Sequence, residues 1–134
     1  TYTNDLNPNT AAEYHFDVLD FLTLMRDQKI VADIILFDPP YSPRQIKECY
    51  NSIGLKMGAQ EALRTNWQTE RSIMDDILKP NGVVLSFGWN SNGMGKKRNY
   101  LIEEILLVAH GMGHNDTICM AERRTQPSLF EEVK

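Results

Sequence analysis

"ILFDPPYSPRQ", residues 35–45, is the stretch on which the reading of this chain turns. Ile34 to Phe37 form a short apolar run that reads as a buried strand. Asp38 closes it. Pro39 and Pro40 then stop the strand, because proline offers no N–H to a ladder. Tyr41 adds an aromatic ring. Ser42 and Pro43 suit the N-cap and first position of a helix, with Ile46, Cys49, Tyr50 and Ile53 on one stripe and Gly54 at the stop. A buried strand that ends in an acid and a stiff backbone can hold a ligand.

Working outward, the same grammar repeats. "TYT" (1–3) and "EYHF" (13–16) read as short strands ending at Asp5 and Asp17. "DFLTLMRDQK" (20–29) reads as a helix with Asp20 as its N-cap. "TNWQTERSIMDDILKPNG" (65–82) reads as another helix, with Trp67, Met74, Ile77 and Leu78 on its apolar stripe and Pro80 and Gly82 at its stop. "VVLSFGW" (83–89) is a third strong strand, and "NSNGMGKK" (90–97) is a polar glycine loop. "EEILLVAHG" and "DTICMAER" read as an antiparallel pair. Strands alternating with helices imply an α/β fold with a mostly parallel sheet, and ligands in such sheets bind beyond the strands' carboxyl ends. Three strands with an acid at that end, at Asp5, Asp17 and Asp38, point to one shared site. A lone Asp there would be only a turn or a cap, the role given to Asp20.

Composition sets limits. The chain has 134 residues, enough for a real core, and 42% apolar and 24% charged residues, as a globular domain does. No apolar run approaches the ~20 residues of a membrane helix, and no signal segment opens the chain. Cys49 and Cys119 are too few and too far apart for a disulfide framework, so a reduced, cytoplasmic chain is expected. The formal charge of −4 gives no global attraction to nucleic acid; any such binding uses local basic patches.

The central motif has a chemical rationale. An exocyclic amine is a poor nucleophile because its lone pair is delocalised. The Asp38 carboxylate can accept one of its hydrogens and the Pro39 carbonyl the other, while Tyr41 stacks on the planar ring. This is positioning and electrostatics aimed at charge that develops on the nitrogen.

Asp38-Pro39-Pro40-Tyr41 resembles the catalytic motif of the S-adenosylmethionine-dependent amino-methyltransferases, above all those acting on adenine in DNA. "TNDLNP" resembles the family's second cofactor segment, which implies that Asp5 binds the ribose hydroxyls. "FDVLDFL" resembles the third, which implies that Asp17 accepts from the cofactor's adenine amine. "LKPNGVVLSFGW" and "HNDTICMAER" resemble the fifth strand with its preceding helix end, and the final hairpin. The resemblance implies a Rossmann-like class I methyltransferase fold with an antiparallel final strand, occupying residues 1–124 ahead of a tail, 125–134. It implies S-adenosyl-L-methionine as cofactor, held with Asp38 as well as Asp5 and Asp17, and adenine N6 in duplex DNA as target. The amines of cytosine and of guanine in RNA remain alternatives, as does a non-catalytic subunit that only binds.

The family's glycine-rich first segment, which holds the methionine part of the cofactor, is absent. In the family's sheet the first strand lies between the second and fourth, so its absence leaves buried strands without partners. With Thr1 at the start, an upstream piece is expected that is cleaved off, left out, or supplied by another chain.

Other features carry further expectations. Lys96, Lys97 and Arg98 follow a glycine loop placed at the mouth of the site, where contact with phosphates competes with plain solvation. "GMGKK" lacks the spacing of a phosphate loop. Trp89, just past a strand, either stacks on a base or packs at the rim. His110 and His114 are flanked by glycines and do not read as a metal pair, and Met57 and Trp67 read as core. In the tail, Gln126-Pro127-Ser128-Leu129-Phe130 resembles the peptide by which bacterial replication and repair proteins dock on the sliding clamp. Gln126, Leu129 and Phe130 would be its contacts; the alternative is an end that packs back on the domain.

Overall fold

A computed structural model describes residues 1–55, 66–111, 113 and 115–125. The chain separates into two units, Thr1–Ile30 with Pro40–Ile77, and Val31–Pro39 with Leu78–Lys134.

Among its described residues, the first unit carries the helices α1 (Val18–Asp27), α2 (Pro43–Ser52) and α3 (Gln68–Ile77). Helices α1 and α3 pack together. Leu22 and Met25 of α1, Ile46 of α2, Trp67, and Ile73, Met74 and Ile77 of α3 are buried. Helix α2 follows its sequence signals closely. The Ser42 hydroxyl accepts from the Gln45 N–H at 3.2 Å, and Gly54 leaves the helix at φ +74°, a conformation that costs glycine little. Helix α1 starts earlier than expected. Its cap is Asp17, whose carboxylate accepts from the Leu19 N–H, and Asp20 lies inside the first turn. Both acids precede the apolar stripe, so pattern alone could not choose between them.

"TYT" and "EYHF" do not form strands. They meet at one parallel bridge, Asn4 to Tyr14. Side chains supply most of the remaining ladder. The Asn4 amide accepts from Phe16 N–H and donates to Phe16 O, both at 3.0 Å. Thr3 and Glu13 exchange side-chain and main-chain bonds in the same manner. Polar side chains of this kind compete for backbone groups, which is why the β-prone residues yield extended segments in place of a sheet. Tyr14 packs its ring 5.5 Å from Phe21 on α1.

The second unit is a four-stranded sheet in the order β1-β2-β4-β3, with β1 (Ala32–Phe37), β2 (Leu78–Gly88), β3 (Tyr100–Val108) and β4 (Thr117–Arg124). Strands β1 and β2 are parallel; β4 lies antiparallel between β2 and β3. Pro80, Asn81 and Gly82 make an irregularity in β2, not a helix stop, with Asn81 at φ +63°. Arg124 donates to Leu78 O at 2.7 Å and Arg123 to Asn81 O at 2.8 Å, so main-chain oxygens at the irregularity keep partners.

One face of this sheet holds the core. Phe37, Val84, Met120, Glu122 and Tyr100 are buried on it. The other face carries Ile34, Leu36, Leu101 and Leu106, each more than half exposed. The expectation of a wholly buried β1 is therefore corrected. β1 is an edge strand, and of its apolar run only Phe37 is buried. Among the described residues no helix is long and apolar enough to cross a membrane.

Candidate active site

Asp5 and Asp17 stand at the ends of the two extended segments that the Asn4–Tyr14 bridge joins. Both use one local device. The Asp5 Oδ1 accepts from the N–H of Asn7 at 2.8 Å, and the Asp17 Oδ1 accepts from the N–H of Leu19 at 3.0 Å. Each turn locks a carboxylate to the backbone two residues on and so fixes the direction of its second oxygen. The main chain between them is tied as well: Asp5 N–H donates to Tyr14 O at 3.1 Å, and His15 Nδ1 lies 2.9 Å from Asp5 O.

Helix α2 adds two residues that pattern reading assigned to an apolar stripe. The Tyr50 hydroxyl donates to the Asp17 Oδ2 at 2.5 Å. Cys49 lies within reach of the Asp5 charge: partial desolvation, then Asp5 and Glu48, push its thiol above the usual range. The signal was present in part. On a half-exposed helix, the stripe position next to Ile46 that carries a hydroxyl is the one able to meet an acid.

Asp38 stands exposed at the carboxyl end of β1, directly after the buried Phe37, whose partner on β2 is Ser86. Pro39 and Pro40 follow, half-buried. Tyr41 is fixed from the other side, since its N–H donates to the Gln45 Oε1 at 2.8 Å in the first turn of α2. Along the chain, the motif follows β1 directly and leads into the capped start of α2. Trp89, 39% exposed, follows the last residue of β2 and stands at the same end of the sheet as Asp38.

Lys96 and Lys97 are not brought to that end. They sit on a single 3₁₀ turn, Lys96–Arg98, directly before Tyr100. Tyr100 pairs with Arg124, the last residue of β4, whereas the carboxyl end of β2 lies beside Ile118. The glycine loop therefore runs back along the sheet instead of rimming its mouth. The reason is Glu122, an acid in an apolar strand, which accepts from the N–H groups of Met94 and Gly95. Alternation along "TICMAER" places it in phase with Met120, and a charge in a core phase was the clue. Gln126, Leu129 and Phe130, with His114 and Met57, lie outside the described residues.

Among solved structures, N-methyltransferase NodS from Bradyrhizobium japonicum WM9, in complex with S-adenosyl-L-homocysteine, matches 92% of this chain with a TM-score of 0.54 at 11% identity. SMU.776, assigned as a methyltransferase and complexed with SAH, matches 82% with a TM-score of 0.53 at 15% identity. The fold is that of the class I methyltransferases. The chain spans 65% of the first protein's length and 30% of the second's. No family model and no curated protein matches it.

Proposed function

We propose that this chain carries the catalytic motif of an S-adenosylmethionine-dependent methyltransferase acting on an exocyclic amine of a nucleobase, with adenine N6 in duplex DNA as the target. The observation that carries the reading is Asp38-Pro39-Pro40-Tyr41 at the carboxyl end of a parallel strand in a class I methyltransferase fold.

The acids fit a cofactor of this type. Asp5 and Asp17 each have one oxygen held by a backbone N–H and the other aimed by it. A carboxylate oxygen has two lone pairs, so Tyr50 leaves Asp17 able to accept from an adenine amine. Asp5 suits a ribose diol. The bound cofactor supplies an electrophilic methyl group. At the target amine, this chain's residues supply the contacts. Asp38 and the Pro39 carbonyl accept the two N–H groups of the target amine, favour positive charge on its nitrogen, and Asp38 takes the surplus proton. Tyr41 holds the base by its ring face, and Trp89 offers a second aromatic surface.

The test is transfer of labelled methyl groups to duplex DNA, followed by nucleoside analysis. N6-methyladenine is expected. Asp38→Ala should lower the rate by about 10²-fold or more, as loss of one preorganised acceptor does. Tyr41→Ala should weaken substrate binding, and Tyr41→Phe or Tyr41→Trp should restore it. Near-normal transfer by Asp38→Ala would sink the mechanism. N4-methylcytosine or methylated RNA in place of methylated adenine would move the substrate to one of the alternatives.

For a protein partner, the proposal is the sliding clamp, engaged by Gln126, Leu129 and Phe130. Changing Leu129 and Phe130 together to Ala should abolish clamp binding and leave methylation of a short duplex intact. Loss of thermal stability without any clamp binding in either form would return the segment to ordinary packing.

A further inference from the structure

Glu122 is a carboxylate inside the core face of the sheet, 1% exposed. Its two oxygens accept from the Met94 N–H at 2.6 Å and the Gly95 N–H at 3.0 Å. The loop is shaped around it. A Cβ on Gly93 would run into that carboxylate, Met94 is buried, and Gly95 adopts φ +85°. Beyond this clamp come Lys96, Lys97 and Arg98 in one 3₁₀ turn. The turn is closed from below. Tyr100 N–H donates to Gly95 O at 3.4 Å, and Asn99 O accepts from Thr125 N–H at 2.7 Å and from its hydroxyl at 2.9 Å. Lys96 and Lys97 are exposed.

We propose that this turn is a phosphate-contact surface for the DNA backbone, and that Glu122 is the residue that positions it. The proposal rests on the reading of DNA as substrate. Burying a carboxylate is costly unless every charge-assisted bond is made, and here both bonds go to the main chain of one loop. Their effect is to fix three consecutive cations at one point of a chain whose net charge is −4. Cations held in place lose less freedom on meeting a phosphate than cations on a free loop do. Such contacts set register and affinity and carry no sequence information.

Position separates this surface from the chemistry. The start of β3 and the carboxyl end of β1 lie about five residues apart along β2, roughly 17 Å. The turn therefore stands away from the end of the sheet that carries the motif, and the contacts proposed for it are to phosphates, not to the target base. Its loss should raise KM far more than it lowers kcat.

The experiment measures binding of a labelled duplex by fluorescence anisotropy, from about 50 to 200 mM salt, for the full chain without cofactor. Lys96→Ala, Lys97→Ala and Arg98→Ala should each reduce the slope of log K against log salt by about one, and the triple variant should bind at least ~10-fold more weakly. Glu122→Gln keeps the shape but loses one acceptor, so it should give a shallower slope as well. A merely structural Glu122 would lower the melting temperature and leave the slope of the folded protein unchanged. Unchanged slope and affinity in the triple variant would overturn the surface; an unchanged slope in Glu122→Gln would overturn the positioning role. Binding is read without methyl transfer. A protein that binds duplex through the turn but never methylates it would refute the catalytic reading and leave this one standing.

Discussion

Asp5 and Asp17 were legible as acids that end β-prone segments, but the sequence did not show that Tyr50 of α2 bonds to Asp17 or that Cys49 lies near the Asp5 charge. The nearby Asp5 charge makes Cys49 a reporter. Its thiol is held up by partial desolvation and by the Asp5 and Glu48 charges, so less thiolate exists near pH 8 than at an ordinary exposed cysteine. Asp5→Asn removes a negative charge, lowers the thiol's pKa, and should speed alkylation of Cys49 severalfold at that pH. S-adenosyl-L-homocysteine should slow alkylation in the parent protein and have little effect in Asp5→Asn. Mass-spectrometric labelling rates check both, and equal rates in the two proteins would separate Cys49 from Asp5. Tyr50→Phe removes the hydroxyl that donates to Asp17 while keeping the ring. If the hydroxyl aims the acid, cofactor affinity should fall a few-fold, by about 1 kcal/mol, as measured by calorimetry. A gain in affinity would mean that Tyr50 competes for the acid.

At the scale of elements, the helices and the four strands were readable because capping and periodicity act locally. Ser42, Pro43 and Gly54 bound α2 as their chemistry requires, and "DIILF" and "VVLSFG" pair in parallel. Burial was not readable in the same way. Ile34 and Leu36 are apolar yet exposed, because side chains stand perpendicular to a sheet and their burial depends on what packs against that face, which local pattern does not encode. The clamp of Glu122 on its loop was also invisible, since it joins residues 27 and 28 positions apart. It predicts that Gly93→Ala destabilises by roughly 1–3 kcal/mol through overpacking against that carboxylate. Urea denaturation measures this, and a neutral substitution would show that the loop yields freely. The β3–β4 pair gives a signed pH effect. The Arg123 guanidinium, bonded to both Glu103 oxygens, holds that carboxyl below its usual range. Its contribution is present at neutral pH and is lost as pH falls through the lowered folded value. Glu103→Gln should therefore lower the melting temperature slightly at pH 7 and have no effect in acid.

At the scale of the whole molecule, the α/β class followed from alternating strands and helices, but the mostly parallel sheet did not, since among the described strands only β1 and β2 pair in parallel, and neither did the state of one sheet face. Leu36, Leu85, Ala121 and Glu104 share one row of that face, and Ile34, Val83, Arg123 and Leu101 share the next. Ile34, Leu36, Leu101 and Leu106 are 57%, 69%, 54% and 61% exposed, so the apolar surface runs from one edge strand to the other. Soluble monomers rarely leave contiguous apolar surface of this kind uncovered, and unpaired edges beside it favour association. The chain by itself should bind a hydrophobic dye and sediment as concentration-dependent oligomers. Leu36→Lys together with Leu106→Lys places charge on both edges of the face at exposed positions, where little packing is lost. That double variant should bind much less dye and move toward a single monomer boundary in analytical ultracentrifugation, with the melting temperature changed by only a few degrees. Tight oligomers that survive both charges would assign association to another surface. A large fall in melting temperature would show that this face is packed in solution, contrary to the exposure of its leucines and isoleucine.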